Sequence, residues 1–528
     1  MKIFRCAMAV GFVLAFSVSS GGFAQTLTIG VRAGPDSIDP HFSASGTTAE
    51  ALKHVFETLV WSGDGLNLEP RLAESWKAIN NTTWEFKLRT GVKFHDGSDF
   101  TAEDVKFSID RVPVISGPTA TTIFVRSVKE VKIVNPSTVL VITNGPAPTL
   151  PNDFVRVFIV SAKAAKNYST KATGNAGFNA GIAAIGTGPY KFVSWTPKEQ
   201  LVLERFDGYW GSKQPWQRVI RREVPNDTAR VAQLKAGQLD LIARVPATDV
   251  PALERDPNLR VVKSDTIYVF HIEFDMREKA YQVTANDGSP LSVNPMRDPR
   301  VREAIDLAID RQTLAEIAME GTGKPANQIA TPTIFGYNKS IPPPKVDLVK
   351  ARTLLADAGF PNGFKGVFLF TSDRLPGDRQ VGTAVAQMLT RIGINLQTNA
   401  QPVAVFFPAR GRGDFSMAMW GWGSLTGETN TMLTSLIHSN NPAKLMGGYN
   451  TSGYSNPKLD KVIEDAAVEM DVDKRRSLLE EALALVAQER PRLALVSIST
   501  VWAMQKGKVT ITPRVDEDTL AMNIRPAN

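Results

Sequence analysis

The chain has 528 residues, with 60 Lys+Arg against 53 Asp+Glu, a net charge of +7, 43% hydrophobic and 21% charged residues. That length suits roughly two to four domains, each able to bury a core. So ordinary a composition excludes a disordered chain, a collagen-like fibre, a long coiled coil and a polytopic membrane protein. The mild basic excess, without a compact Lys/Arg run, excludes a nucleic-acid footprint. The single cysteine excludes a disulfide scaffold and a thiolate zinc site.

Lys2 and Arg5 precede an apolar run from Cys6 to Val18, and Gly22-Phe23-Ala24 follows with small residues where a signal peptidase needs them. The run is shorter than the roughly 20 residues that a membrane span requires. Residues 1–24 therefore read as a cleaved secretory signal. Cys6 lacks the small and aliphatic residues that precede a lipoprotein cysteine, so no lipid tether is expected. The mature protein is expected to be soluble, exported to the periplasm and free of thiols.

Thr26–Val31 alternates as a strand. Trp84, Phe86 and Leu88 share one face of a second strand, and Thr90-Gly91 suggests a hairpin turn into Val92–Phe94. Thr101-Ala-Glu-Asp104 has the form of a capping box opening a helix with Val105 and Ile109 inward. Asp298-Pro299 places an N-cap before a proline at the first helical position, and Val301, Ala304, Ile305, Ala308 and Ile309 follow at helical spacing. Gly321 is expected to close that helix or its extension. Asp347 to Gly359 repeats the pattern. Val367–Phe370, Val381–Ile392 and Ile394–Gln397 then read as strand, helix, strand, a βαβ unit in a parallel sheet. No internal repeat or low-complexity linker marks a boundary.

Catalytic signatures are mostly missing. None of the five histidines lies four residues from another with an adjoining glutamate, and no Gly-x-Ser-x-Gly occurs. Gly321-Thr-Gly-Lys324 is followed by Pro325 where a phosphate loop needs a hydroxyl. Ser455-Asn-Pro-Lys458 lacks a Lys-Thr-Gly partner, and Asn456 with Pro457 is better read as a helix start. No metal site, catalytic residue or cofactor is assigned. The richest stretch is instead aromatic: Phe406-Phe407, then Trp420-Gly421-Trp422-Gly423 at a strand end, with Arg410 and Arg412 nearby. In open α/β sheets ligands sit outside the carboxyl ends of strands. Glycine permits close backbone approach, and indole offers a flat apolar wall with one donor. The two Trp alternate onto one face, so either a ligand wall or a core plug is open for Trp420 or Trp422.

Several stretches then fit one family in order: Ser37-Ile-Asp-Pro40, Pro70–Trp76, Phe86–Gly97, Thr101–Ser108, Gly186-Thr-Gly-Pro-Tyr190, Tyr209-Trp210, Asp298–Ile305 with Ala308–Arg311, and Ala351–Phe360. The chain resembles, over nearly its whole mature length, the extracytoplasmic solute-binding proteins of ABC importers, in the dipeptide/oligopeptide/nickel-binding family 5. The resemblance implies an α/β, two-lobed periplasmic-binding-protein fold of class II type that closes about a hinge crossed twice. Lobe I would combine 25–265 and 500–528, with 45–184 as the extra subdomain of peptide-binding proteins; lobe II would be 266–499. It also implies that Gly421-Trp422-Gly423 pairs with or lines the ligand beside Trp420. The loop Thr371–Gly377 would present Arg374 to a ligand carboxylate, an anion its planar fork suits. Tyr268, near the hinge with Phe270, Phe407, and His41 after the Asp-Pro motif are further lining candidates. The family's ammonium-binding aspartate falls at Leu425, and Met419 replaces a basic residue. Glu428 is the nearest acid. An anionic or amide-bearing ligand such as a modified peptide, amino-acid conjugate or opine-like compound is therefore expected, since a buried unpaired ammonium is costly. Nickel carried through a small chelator is a further implied cargo, with His41 or His271 near it. The expected partners are a small-molecule or peptide ligand and the membrane subunits of an ABC permease, and the expected state is a monomer. A ligand sensor or chaperone-like protein on the same fold, and more remotely an exported hydrolase, are the alternatives; uptake by a deletion strain and the chemical fate of the ligand separate them.

Overall fold

The computed structural model describes residues 26–115, 117, 121–170 and 172–527. The signal segment 1–24 lies outside the described residues. One eleven-stranded sheet runs through the molecule. At one end Thr26–Val31 pairs in parallel with Arg218–Glu223, in register from Thr26↔Arg218 to Val31↔Glu223, and with Leu241–Ile242. Gln200–Arg205 and Tyr190–Thr196 extend this end antiparallel. At the other end Phe364–Thr371 lies parallel to both Ile394–Gln401 and Met417–Trp422, with helix Asp378–Thr390 as the crossover. That is the βαβ unit read from the sequence.

Two long strands join the ends. Leu259–Phe274 and Arg492–Gln505 run antiparallel along one another, and each contributes to both halves of the sheet. Their register is interrupted midway. Asp265 faces Ser499, but the next paired residue, Val269, faces Ser497, so three residues on one strand oppose one on the other. The bulged segment finds partners elsewhere: Thr266 Oγ1 donates to the Ile498 carbonyl (2.8 Å), Tyr268 N–H to Thr266 Oγ1 (3.1 Å) and Ile267 N–H to the Val515 carbonyl (3.0 Å).

Separate apolar clusters explain why the fold has two lobes, because each lobe buries its own core. One cluster gathers around Phe270, Phe368, Trp420 and Leu483 on the distal side of the two long strands. Two others cover opposite faces of the proximal sheet, around Leu27, Val219 and Trp502 and around Leu234, Leu253 and Val501. A further cluster, with Phe86, Phe94, Val139 and Phe154, lies under a four-stranded antiparallel sheet of Ala73–Asn80, Thr83–Leu88, Thr138–Thr143 and Val128–Asn135.

Local expectations hold at the caps and fail at one hairpin. Thr101 N–H donates to Asp104 (2.9 Å) at the start of helix Ala102–Arg111, and the Asp298, Asp347 and Asn456 side chains each accept from the first turn of their helices. Helix Pro299–Ala308 ends well before Gly321; a second short helix starts at Arg311 under an Asp310 cap. Val92–Phe94 does not form a strand beside Thr83–Leu88, whose neighbours are Ala73–Asn80 and Thr138–Thr143. Val92 and Phe94 are instead fully buried in the cluster below, where their side chains gain more than a ladder position would give.

Candidate ligand-binding site

Strand Met417–Trp422 lies antiparallel to the long strand Leu259–Phe274, with His271 opposite Trp420 and Val269 opposite Trp422. Directly opposed residues share a sheet face, so Trp420, Trp422 and His271 project together. Trp420 is fully buried in the distal core. Its ring stands nearly perpendicular to Phe407 (5.4 Å between centroids) and Trp422 (5.3 Å), with the His271 ring at 5.0 Å. Three guanidinium groups approach it: Arg410 at 4.6 Å, Arg374 at 5.5 Å and Arg492 at 5.7 Å. Trp420 thus plugs the core and organises the site from beneath. Trp422 is half-buried and carries the aromatic surface outward, where Tyr449 meets it at 4.9 Å.

The charges around Trp420 do not balance. Glu273, fully buried, takes Arg410 at 2.6 and 3.0 Å and Arg492 at 3.1 Å. Burial alone would raise this carboxyl, but Arg492 and Arg410 hold it below its ordinary range. Burial pushes Arg492 down to about 10. His271 is held well below its usual value by burial and by the neighbouring Arg492 and Arg410, so it is neutral at pH 7, and neither ring nitrogen has a hydrogen-bond partner. Arg374 completes the set. It follows strand Phe364–Thr371, in a loop closed by Asp378, whose carboxylate accepts the Arg374 N–H (3.1 Å). Its guanidinium stacks over Phe407 at 5.2 Å, is lowered by burial, and makes no ion pair among the described residues; its Nη1 has no hydrogen-bond partner.

Across the hinge, Tyr268 faces a small enclosed cavity lined also by Leu425 of the distal lobe and by Lys53, Arg156, Arg244, Asp516 and Asp518 of the proximal lobe. Lys53 bridges Asp518 (2.5 Å) and Asp516 (3.4 Å), Arg514 holds Asp516 (2.8 Å), and Arg244 pairs with Glu517 (3.3 Å). Burial and the adjacent Asp516 raise Asp518 to about 6, while burial and Glu517 raise the Tyr268 phenol to about 12. The proximal wall therefore carries ion-paired Lys53, Arg244, Asp516 and Asp518 together with Arg156, which is buried, donates to the Ala44 carbonyl (3.0 Å) and has no ion pair among the described residues, while Arg374 stands outside the lining of this cavity.

One expectation needs correction, and at two glycines the structure shows a protein neighbour. The side on which a Cβ would project is filled by protein at both Gly421 and Gly423. A Cβ on Gly423 would stand 2.7 Å from the Ile267 side chain and 3.0 Å from its carbonyl, and a Cβ on Gly421 would strike Leu375. These glycines let the strand end pack onto the hinge. His41 lies away from the cleft: its Nε2 meets the Phe158 carbonyl (2.8 Å) and its Nδ1 meets Arg111 (2.9 Å), which also grips Asp39 in two fully buried contacts of 2.6 and 2.9 Å. Burial and Arg111 lower His41 to about 4. It braces the loop after the Asp-Pro motif. Among the described residues, no group of three or more His, Cys, Asp or Glu side chains is arranged to hold a metal ion.

Comparison with known proteins places this architecture. The family model described as "Bacterial extracellular solute-binding proteins, family 5 Middle" matches residues 67–444. The chain belongs to this family. It is similar to the glutathione-binding protein GsiB of Escherichia coli (strain K12), 28% identical over 508 residues and covering 94% of each chain. It is also similar to the solved periplasmic binding protein DppA of Helicobacter pylori in complex with the peptide STSA (25% identity, TM-score 0.75, 95% of this chain and 98% of that one). The fold of HbpA2 from Haemophilus parasuis matches with a TM-score of 0.79 at 22% identity, covering 95% and 100%. No helix among the described residues is long and apolar enough to cross a membrane.

As a family 5 solute-binding protein, the chain should close its lobes on a ligand, and the seam between them has a second feature. Asn152 Nδ2 donates to the Thr426 carbonyl (2.9 Å), and Leu66, with a left-handed backbone (φ 68°), joins the distal core beside Gly427. Next to this contact a chamber of about 920 Å³ separates the four-stranded sheet from the distal lobe, and Glu428 lines it. Burial raises the Glu428 carboxyl to about 7 although Arg475 sits 3.1 Å away. Because its folded pKa exceeds the ordinary 4.5, the folded protein holds a proton that the unfolded chain has released. Stability should therefore fall as pH rises from about 4.5 to 7, by up to about 3 kcal/mol from this group. Glu428→Gln should flatten that part of the profile in urea unfolding across pH 4 to 8; an unchanged slope would refute the assignment. Sequence reading missed Glu273, Lys53, Arg156, Arg244 and the run Asp516-Glu-Asp518. The charged stretch from Arg514 to Asp518 was visible as a run, but its burial in a cleft depends on a contact with Lys53, 463 positions away.

Proposed function

We propose that the protein is the solute-receiving component of an ABC importer. On this reading it is exported to the periplasm by the signal at 1–24, binds a carboxylate-bearing peptide or peptide-like molecule as a monomer, and delivers it unchanged to the permease. The ligand lies between lobe I (25–265 and 500–528, with 45–184 as the extra subdomain) and lobe II (266–499), the hinge being the bulge opposite Ile498. The observation that carries this is Arg374, a half-buried side chain whose Nη1 is buried without a hydrogen-bond partner and which makes no ion pair among the described residues, between Phe407 and Trp420 and electrostatically within reach of Tyr268. A ligand carboxylate there would supply the missing charge, with Trp422, Phe407 and Tyr268 as apolar walls and Trp420, Gly421 and Gly423 as their support. Leu425 offers no acceptor for an ammonium, so the carboxylate end dominates selectivity. The similarity to proteins named for glutathione and solved with a peptide supports the same class of ligand.

Calorimetric titration with glutathione, an acidic dipeptide and a cationic dipeptide tests this. The carboxylate-rich ligands should bind best, and Arg374→Ala should weaken them about 10- to 150-fold, the value of a charge-assisted hydrogen bond. Binding of cationic dipeptides alone, an unaffected variant, or a ligand recovered chemically altered would each refute the reading.

A further inference from the structure

The chamber between the four-stranded sheet and the distal lobe shares no lining residue with the hinge cavity. At about 920 Å³ it is in the range of small-molecule sites, roughly 300–1,000 Å³. One wall carries Trp76 and Trp84, half-buried on the same face of the sheet, where Trp84 faces Ala78 and Trp76 faces Phe86 across the ladder. The other carries Phe335, with the Arg475 and Arg476 guanidiniums at 5.0 and 4.7 Å from its ring centroid.

Between these walls lies an ion pair with open valences. Arg475 Nη1 meets Glu428 Oε1 at 3.1 Å, with side chains only 6% and 3% exposed. That contact is an ion pair without hydrogen-bond geometry, so Glu428 Oε2, Arg475 Nε and Arg475 Nη1 all have no hydrogen-bond partner. A buried acceptor and a buried donor left unsatisfied carry their full desolvation penalty until something occupies them. Above about pH 7, where Glu428 is ionised, an anion alone would be repelled by it, and a cation alone is repelled by Arg475 and Arg476. A group with an ammonium and a carboxylate on one carbon satisfies both, and the flanking rings suit a flat apolar side chain.

We propose that this chamber is a second binding site, separate from the hinge cleft, for a free aromatic α-amino acid, with its ammonium on Glu428, its carboxylate on Arg475 and its ring between the tryptophans and Phe335.

Titration of the full mature chain with L-phenylalanine, 3-phenylpropionate and phenethylamine tests this. Phenylalanine should bind, and each analogue, lacking one charged group, should bind at least tenfold more weakly. Glu428→Gln should weaken phenylalanine at least tenfold. Trp76→Ala, on the opposite wall, should weaken it several-fold when measured below that variant's own unfolding transition, which covers the case in which the Glu428 variant misfolds. Arg374→Ala should leave it unchanged. Absent phenylalanine binding, an analogue that binds as well as phenylalanine, or loss of binding in the Arg374 variant would overturn the proposal.

Discussion

Glu273→Gln is expected to destabilise the distal lobe by about 3–5 kcal/mol, the cost of breaking a buried ion pair from one side. Among the described residues Glu273 is the one carboxylate in direct contact with both Arg410 and Arg492, and all three side chains are at most 3% exposed. Glutamine keeps the shape but leaves two buried cations uncompensated. The same logic fixes a pH dependence. The Glu273 carboxyl lies below its ordinary 4.5 in the folded protein, so its contribution is complete above about 4.5 and disappears as pH falls through the lower folded value. Urea unfolding followed by tryptophan fluorescence checks this, with the lobes treated as separate transitions because a two-lobed chain need not unfold in one step. A loss under 1 kcal/mol would mean the arginines are stabilised elsewhere, through the carbonyls of Leu436 and Tyr449 that Arg492 also reaches.

Closure should be just as sensitive to a single atom group at the seam. Gly427 has φ +72°, and a Cβ there would sit 2.9 Å from the Leu66 carbonyl oxygen and 3.3 Å from its Cβ. Gly427→Val adds an isopropyl group in a backbone region that a β-branched residue avoids. The strain falls on the Gly427 turn and on Leu66, where the lobes meet at the edge of the distal core. The closed form should become a minor state, and apparent ligand affinity should drop about tenfold or more, in proportion to the population lost. Thermal stability should change little by comparison. Small-angle scattering with and without saturating ligand would show the variant remaining extended; a variant that contracts like the wild type, with unchanged affinity, would show that Leu66 does not latch the lobes.

Much of this was legible in the linear chain because short-range physics wrote it. The caps at Asp298, Asp347 and Asn456 and the parallel unit from Phe364 to Gln401 follow from local hydrogen bonding and periodicity, and they stand where those rules put them. Arg374, Phe407, Trp420 and Trp422 do converge. What could not be read was depth. Trp420 and Trp422 look equivalent at alternate positions, yet one is sealed and the other half-buried, because only Trp420 is ringed by Arg410, Arg492 and His271 from distant segments. His41 appeared available for a ligand, but Arg111, 70 positions away, claims it. Gly423 signalled a close approach, and Ile267 is one group that makes it.

The three-against-one mismatch opposite Ile498 has a mechanical consequence. Paired strands resist shear because sliding would break a whole row of hydrogen bonds, but a stretch already outside the row can twist at little cost. The molecule therefore bends like a leaf spring notched at one place. With the hinge proposed there, the jaws would swing about that line while the ladder on each side of it stays intact, so strand pairing would set the axis of motion before any solute arrives.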